Sequence, residues 1–344
     1  MADDDLTGLV RKLECDPIFI MSLNSKELFH SNLLAWLIRS FPAVTEAVTG
    51  SAAPVIVTRE EGHTDLAVRQ GNTLTIMELK TFALPELDQL ERLAERFHKE
   101  DPGLTLLTLS RPLWEERTWQ VVTYDRFAER LISVVPTVRA ADEYAGATMA
   151  RWLELLGMLH ELAARVGQPS MDEPLLPEPD VLKLVNGARL EAAILKMRFQ
   201  HVAAELRRRG LAANAGYSPR GGGIVEWGID GKSDYGNGGG ALVWGWQIQG
   251  SDFRLAMITP DGHVGNGTTS DHRARRHRLA GEHLDFFAFD LLDGAKLGPL
   301  NGFNNYNPAM TYRYMKIPGL AVGQAVELGV KYAAHARAYA ESLG

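Results

Sequence analysis

The stretch Asp65–Gln70, Gly71-Asn72, Thr73–Lys80 constrains the chain more than any other. Two runs of strand-forming residues are separated by two residues only, of types that tolerate the backbone of a tight hairpin turn. Such a turn pairs Gln70 with Thr73, and every step outward adds one pair, so the register places Asp65 directly opposite Glu78 on one face of a sheet. Cβ atoms at opposed positions lie about 4.5–5.5 Å apart. Two carboxylates at about 5 Å repel by roughly 1 kcal/mol in water and about 3 kcal/mol in a partly buried site. Something cationic must offset this. Lys80 shares a face with Glu78 because side chains alternate along a strand. A hard divalent cation with oxygen ligands, Mg2+ or Mn2+, is the other natural candidate.

The flanking sequence predicts what surrounds the hairpin. Apolar periodicity gives helices over Leu6–Phe19 and Lys26–Phe41, the second with Asn24 as its N-cap. Strands follow over Val55–Glu60, Asp65–Gln70 and Thr73–Lys80, then a helix from Pro85 to Lys99, strands over Leu104–Leu109 and Thr118–Tyr124, and a helix opened by Asp125. This order predicts an α/β fold with a mixed sheet flanked by helices. A helical pattern over Ala145–Arg165 runs into a proline-rich connector after Gly167, where the chain is expected to divide into domains 1–170 and 171–344. The second part reads as α+β. It has a helix over Pro179–Arg209, strands over Ile224–Ile229, Ala241–Gln249 and Phe253–Thr259, a basic helix over Asp271–Phe287 and a last helix over Val322–Leu343.

Bulk properties exclude several classes. With 344 residues and 45% apolar content the chain can bury a large core, and its start lacks a signal-like apolar run, so a cytoplasmic protein without membrane contact is expected. Cys15 is the one cysteine, which excludes an intrachain disulfide and a thiolate-rich zinc site. The net charge of −7 argues against coating nucleic acid by bulk attraction, but the charge is uneven. From residue 175 onward 19 basic residues face 16 acidic ones, and before it 17 face 27, so acid is concentrated around the hairpin. No nucleophile elbow, Walker loop, dinucleotide fingerprint or His-Glu-x-x-His helix is present. A carboxylate pair would also serve a glycosidase, but the nearby lysine suits phosphate chemistry better.

Asp65 followed by Glu78-Leu79-Lys80 at the end of the next strand resembles the core motif of the PD-(D/E)XK nuclease superfamily. The stretch Lys26-Glu27-Leu28-Phe29-His30-Ser31-Asn32-Leu33-Leu34-Ala35-Trp36-Leu37 is similar to the opening helix of a bacterial, restriction-endonuclease-like branch, and Asp88-Gln89-Leu90-Glu91-Arg92 resembles the Gln-Leu pair one helix after the lysine. The resemblance covers residues 20–130. Two neighbourhoods depart from the branch: Gly62-His63-Thr64 precedes Asp65 where arginine is common, and Leu79 stands where asparagine is frequent. The resemblance implies a restriction-endonuclease-like fold and a Mg2+-dependent nuclease, with Mn2+ as substitute. Asp65, Glu78 and the Leu79 carbonyl would hold metal, with Glu27 reaching it through water. Lys80 would orient the attacking water and stabilise the transition state, and Gln89 would touch phosphate or the lysine, or else be a polar position on the exposed side of its helix. Glu27 has an equal second reading, as the third helical residue closing a capping box with Asn24. His30, one turn after Glu27, is read as packed or solvated rather than as a ligand.

For the second domain, Asp271–Arg278 and Arg207-Arg208-Arg209 are candidate phosphate contacts, although each alone reads as a solvated helix face. Trp244 and Trp246 share a strand face and would offer stacking to unpaired bases if exposed, or core if not. The leading expectation is a DNA endonuclease, DNA ahead of RNA as partner, and the resemblance implies a role in restriction or phage defence. Cleavage of both strands would favour a homodimer. Two other readings stay open: a catalytically silent nucleic-acid clamp, and an effector triggered by a protein or small molecule at its C-terminal domain.

Overall fold

The computed structural model describes residues 4–25, 27–81, 85, 87–111, 118–218, 222–230, 242–259, 270–291, 302–306 and 310–343. Helix α1 (Asp4–Glu14) ends where α2 (Pro17–Ser25) begins, because the Asp16 carboxylate accepts the Phe19 N–H at 3.0 Å and Pro17 fills a first-turn position that needs no donor. One predicted helix is thus two. Helix α3 (Glu27–Ser40) is followed by α4 (Pro42–Thr49), again opened by proline and closed by Gly50 at φ 81°. The sequence reading stopped at Phe41 and missed α4.

Strand β1 (Ile56–Arg59) leads through a tight turn to β2 (Leu66–Gln70) and β3 (Thr73–Lys80). Gln70 pairs with Thr73 and Leu66 with Met77, the register expected of a two-residue turn, with Gly71 at φ 58°. Helix α5 (Leu87–Phe97) carries the chain over to β4 (Gly103–Thr108), which runs parallel to β3, and β5 (Gln120–Thr123) lies parallel to β4. The result is a mixed five-stranded sheet in the order β1-β2-β3-β4-β5. Leu90, Leu93 and Phe97 repeat at helical spacing and pack with Ala67, Leu74, Ile76, Leu106 and Trp119. By strand alternation this is the sheet face that carries Glu78 and Lys80. Residues of the opposite face, Leu66, Val68, Met77, Leu79 and Leu107, are also buried, and α3 and α6 (Tyr124–Ile132) pack against the sheet. Helices α7 (Val135–Ala141) and α8 (Glu143–Leu162) follow, α8 capped by Asp142 through the Ala145 N–H at 3.0 Å.

The chain divides into two compact units, Met1–Gly167 with Pro179–Ile194, and Gln168–Glu178 with Leu195–Gly344. The division is less simple than a cut at residue 170. Helix α9 (Pro179–Gly187) belongs to the first unit, and the change of unit falls inside α10 (Glu191–Arg208). These two were read as one helix, but Arg189 at φ 60° breaks it. The proline-rich connector is docked on the second unit: Leu175 N–H donates to Leu320 at 2.6 Å, and Arg198 donates to the Leu175 carbonyl at 2.8 Å.

The second unit is an antiparallel sheet of six strands with helices. Its strands are β6 (Asn214–Ser218), β7 (Gly222–Asp230), β8 (Val243–Gln249), β9 (Asp252–Ile258), β10 (Asn304–Tyr306) and β11 (Met310–Lys316), in the order β10-β11-β9-β8-β7-β6. Helices α11 (Ser270–Glu282) and α12 (Val322–Ser342) complete it. Trp244 and Trp246 are buried in its core with Phe199, Phe253 and Tyr332, so they offer no stacking platform. Gly245, between them, permits close strand approach: a Cβ there would lie 2.2 Å from the Trp227 carbonyl oxygen. Gly245→Ala is expected to destabilise the second unit by about 1–3 kcal/mol, measured as a lower urea midpoint at unchanged slope. Among the described residues no helix is long and apolar enough to cross a membrane.

Candidate active site

The site forms where β2 starts and β3 ends. Strand β2 begins at Leu66, so Asp65 lies one residue outside the ladder rather than in it. Alternation along β3 turns the backbone groups of Met77 and Leu79 toward β2, but at Leu79 no strand residue is left to meet them. The Asp65 carboxylate takes that place, with Oδ2 accepting the Leu79 N–H at 2.7 Å. The Leu79 carbonyl points to the same side, toward Asp65.

A constrained turn delivers Asp65. Glu60, Gly62 and His63 all have positive φ, and a Cβ on Gly62 would meet the Phe97 ring at 2.7 Å, so the close approach to α5 requires glycine. Arg96 of α5 donates to the Gly62 carbonyl. The Glu61 carboxylate accepts from the Thr58 hydroxyl and pairs with Arg69 at 2.6 Å, and these two bonds hold its pKa below the usual carboxylate value. Sequence reasoning missed this clamp, although Glu60-Glu61-Gly62 just before the hairpin was its visible trace.

Glu78 and Lys80 sit at the C-terminal end of β3, with side chains only 4% and 10% exposed. Lys80 Nζ lies 2.9 Å from Glu78 Oε1, and Gln89 Nε2 of α5 donates to the same oxygen at 2.9 Å. Glu78 Oε2 is buried and has no hydrogen-bond partner among the described residues. A buried carboxylate oxygen left so is costly, since burial removes water without replacing it. Both contacts converge on one oxygen and leave the other directed elsewhere. The Lys80 carbonyl is fixed in turn by the Leu109 N–H at 3.1 Å, so the strand end that carries the lysine is anchored to β4.

The structure therefore brings together Asp65, Glu78, Leu79, Lys80 and Gln89. The Glu27 side chain lies outside the described residues. Helix α2 runs through Ser25 and α3 begins at Glu27, so Asn24 lies inside α2 rather than at the N-cap position expected for it. His30 is fully buried, its Nδ1 accepting the Trp152 indole N–H at 3.0 Å, and burial pushes its pKa from 6.5 down to about 3. It is a core residue.

Two carboxylates against one ammonium leave the site net negative, and its donors are all oxygens. This fits Mg2+, which keeps most of its waters and is bound by one or two carboxylates with substrate phosphate, rather than by a closed protein cage. Among the described residues no group of three or more His, Cys, Asp or Glu side chains forms such a cage. Of the two basic runs, Arg208 and Arg209 pair with Glu205, and Arg209 also with Glu327, which neutralises most of the first run. Comparisons with protein-family models, with curated proteins and with solved structures give no match.

Proposed function

We propose that the chain is a Mg2+-dependent nuclease of the PD-(D/E)XK type on a restriction-endonuclease-like fold, hydrolysing phosphodiester bonds in nucleic acid, DNA ahead of RNA. The observation that carries this reading is the buried, partnerless Oε2 of Glu78, beside a lysine on the same strand face and an aspartate bonded to the intervening residue. Asp65, Glu78 and the Leu79 carbonyl are the groups that would hold the ion, with Mn2+ as substitute. Bound there, the ion supplies Lewis-acid polarisation of a phosphoryl oxygen and a water of lowered pKa. The protein's own part is to fix charge in advance. Lys80 places an ammonium where negative charge builds on the phosphoryl oxygens, and its low exposure strengthens that interaction. Gln89 holds the Glu78 carboxylate in orientation, and the Glu61 clamp keeps Asp65 against the end of β3.

The test is cleavage of supercoiled, linear and single-stranded DNA and of RNA with Mg2+, Mn2+ or EDTA, comparing wild type with Asp65→Ala and Lys80→Ala. Cleavage that needs metal, and that falls at least about 100-fold in both variants, is the expected result. Metal binding that depends on Asp65 without cleavage would replace it with an effector awaiting a trigger. Neither cleavage nor metal binding would leave a nucleic-acid clamp.

A further inference from the structure

Helix α11 carries a charge pattern unlike that of the other helices. Elsewhere Arg126, Arg151, Arg165 and Arg208 each pair with a glutamate three or four residues away. In α11, Arg273, Arg275 and Arg278 are exposed, and none has a hydrogen bond or ion pair among the described residues. The acids of this helix are Asp271, whose side chain lies outside the described residues, and Glu282 at its last position. Arg276 is buried beneath, and burial, then the charge of Arg273, hold its guanidinium below the usual value.

The adjoining sheet edge adds to this surface. Phe303, just before β10, packs 6.0 Å from the His277 ring of α11, and the Arg313 guanidinium of β11 lies over the Phe303 ring at 5.7 Å. His277 Nε2 is fixed 2.6 Å from the Asn305 side-chain oxygen. Arg313 is thereby held beside α11 by stacking, which lowers the entropy lost when a guanidinium grips an anion. Exposed guanidinium groups on one short helix, Arg273, Arg275 and Arg278, repel one another, and a polyanion relieves that cost.

We infer that the outer surface of α11, with Arg273, Arg275, Arg278 and Arg313, binds the phosphodiester backbone of a nucleic acid. The inference rests on the proposed nuclease reading for its substrate, and it assigns substrate affinity to this helix. Guanidinium contacts to phosphate carry no sequence information, so binding should be insensitive to sequence and strongly salt-dependent.

The test is fluorescence anisotropy of labelled duplex and single-stranded DNA and RNA with the full chain in EDTA, where cleavage is off, over a range of KCl. For duplex DNA, Arg273→Gln/Arg275→Gln/Arg278→Gln is expected to make the slope of log K against log salt shallower by about 2–3 and to weaken low-salt binding at least tenfold. If that variant misfolds by circular dichroism, Arg275→Gln/Arg278→Gln should still lower the slope by about 2. An unchanged slope overturns the inference, as does polyglutamate bound as tightly as nucleic acid. The arms separate duplex from single strand and DNA from RNA. Binding lost in the arginine variants but no cleavage by wild type in Mg2+ sinks only the nuclease reading; cleavage with an unchanged slope sinks only this one.

Discussion

Lys80→Met is expected to cost the first unit about 3–5 kcal/mol in EDTA, and Mg2+ to restore much of that loss. Glu78 is 4% exposed, and its Oε1 is balanced by Lys80 and Gln89 while Oε2 has no partner among the described residues. Methionine matches the lysine stem but removes the ammonium, leaving a buried carboxylate with one neutral donor. Breaking a buried pair from one side is far more costly than deleting both charges. A divalent cation held by Glu78 and Asp65 would replace the missing charge, and at about 100 times its dissociation constant it would add roughly 2.7 kcal/mol. Glu78→Gln is expected to behave in the opposite way. It removes the charge, the long Lys80 side chain can extend toward water, and stability in EDTA should change little while the Mg2+ effect disappears. Urea unfolding of wild type and both variants, with EDTA and with Mg2+, reads this directly. If Mg2+ stabilises neither wild type nor Lys80→Met, Glu78 is an ordinary ion-paired strand residue.

The parts of this site legible in the sequence were those set by local chemistry. A two-residue turn leaves one register, so the placement of Glu78 and Lys80 followed from counting outward from Gly71-Asn72. Gln89 was visible only through the resemblance of its Gln-Leu pair, as a contact to phosphate or the lysine or as an exposed polar position, and its partner is Glu78 instead. The Asp65–Leu79 link was less so. Pairing rules put Asp65 opposite Glu78, but strand β2 begins one residue later, at Leu66, and the Asp65 carboxylate caps an open N–H instead. That termination depends on the positive-φ turn at Glu60–His63, which only tertiary contact with Phe97 and Arg96 makes intelligible.

Helix boundaries failed for a different reason. The helix expected over Leu6–Phe19 runs through Pro17, and the one over Lys26–Phe41 stops before Pro42, whereas each proline stands in the first turn of a new helix, where proline costs nothing. In the second unit β6 and β10 were missed because Asn214–Ser218 and Asn304–Tyr306 are short and polar, and their strand state is imposed by neighbours rather than by propensity; β11, whose Met310–Lys316 has ordinary strand propensity, was missed as well. Trp244 and Trp246 satisfied the spacing of either a platform or a core, and periodicity alone does not say which side of a sheet the helices cover. The observed core resolves this: both tryptophans face the helices and are buried.

His30 gives the second large effect, a loss of stability on acidification that should appear below pH 6.5. In the folded chain His30 is buried between Tyr124 and Trp152, and its Nδ1 accepts the Trp152 indole N–H, so the ring is neutral with its proton on Nε2. Protonation would set two donors face to face and bury a charge, which is why burial lowers the folded pKa to about 3 from 6.5. The sign follows from proton counting. Between these two values the unfolded chain binds the proton and the folded one does not, so stability falls as pH drops through 6.5 and levels off only below the folded value. From pH 8 to pH 5 this group alone should remove about 2 kcal/mol. His30→Phe keeps an aromatic ring in the slot. It should lower stability at every pH by losing the Trp152 acceptor, yet its fall from pH 8 to pH 5 should be about 2 kcal/mol smaller than that of wild type. Urea unfolding at the two pH values measures that double difference. Parallel losses in wild type and variant would mean that other groups carry the acid sensitivity of this unit. A reduced loss would identify the opening-helix histidine as a packing residue whose neutrality the fold requires, and so as no part of the acidic site at the end of β3.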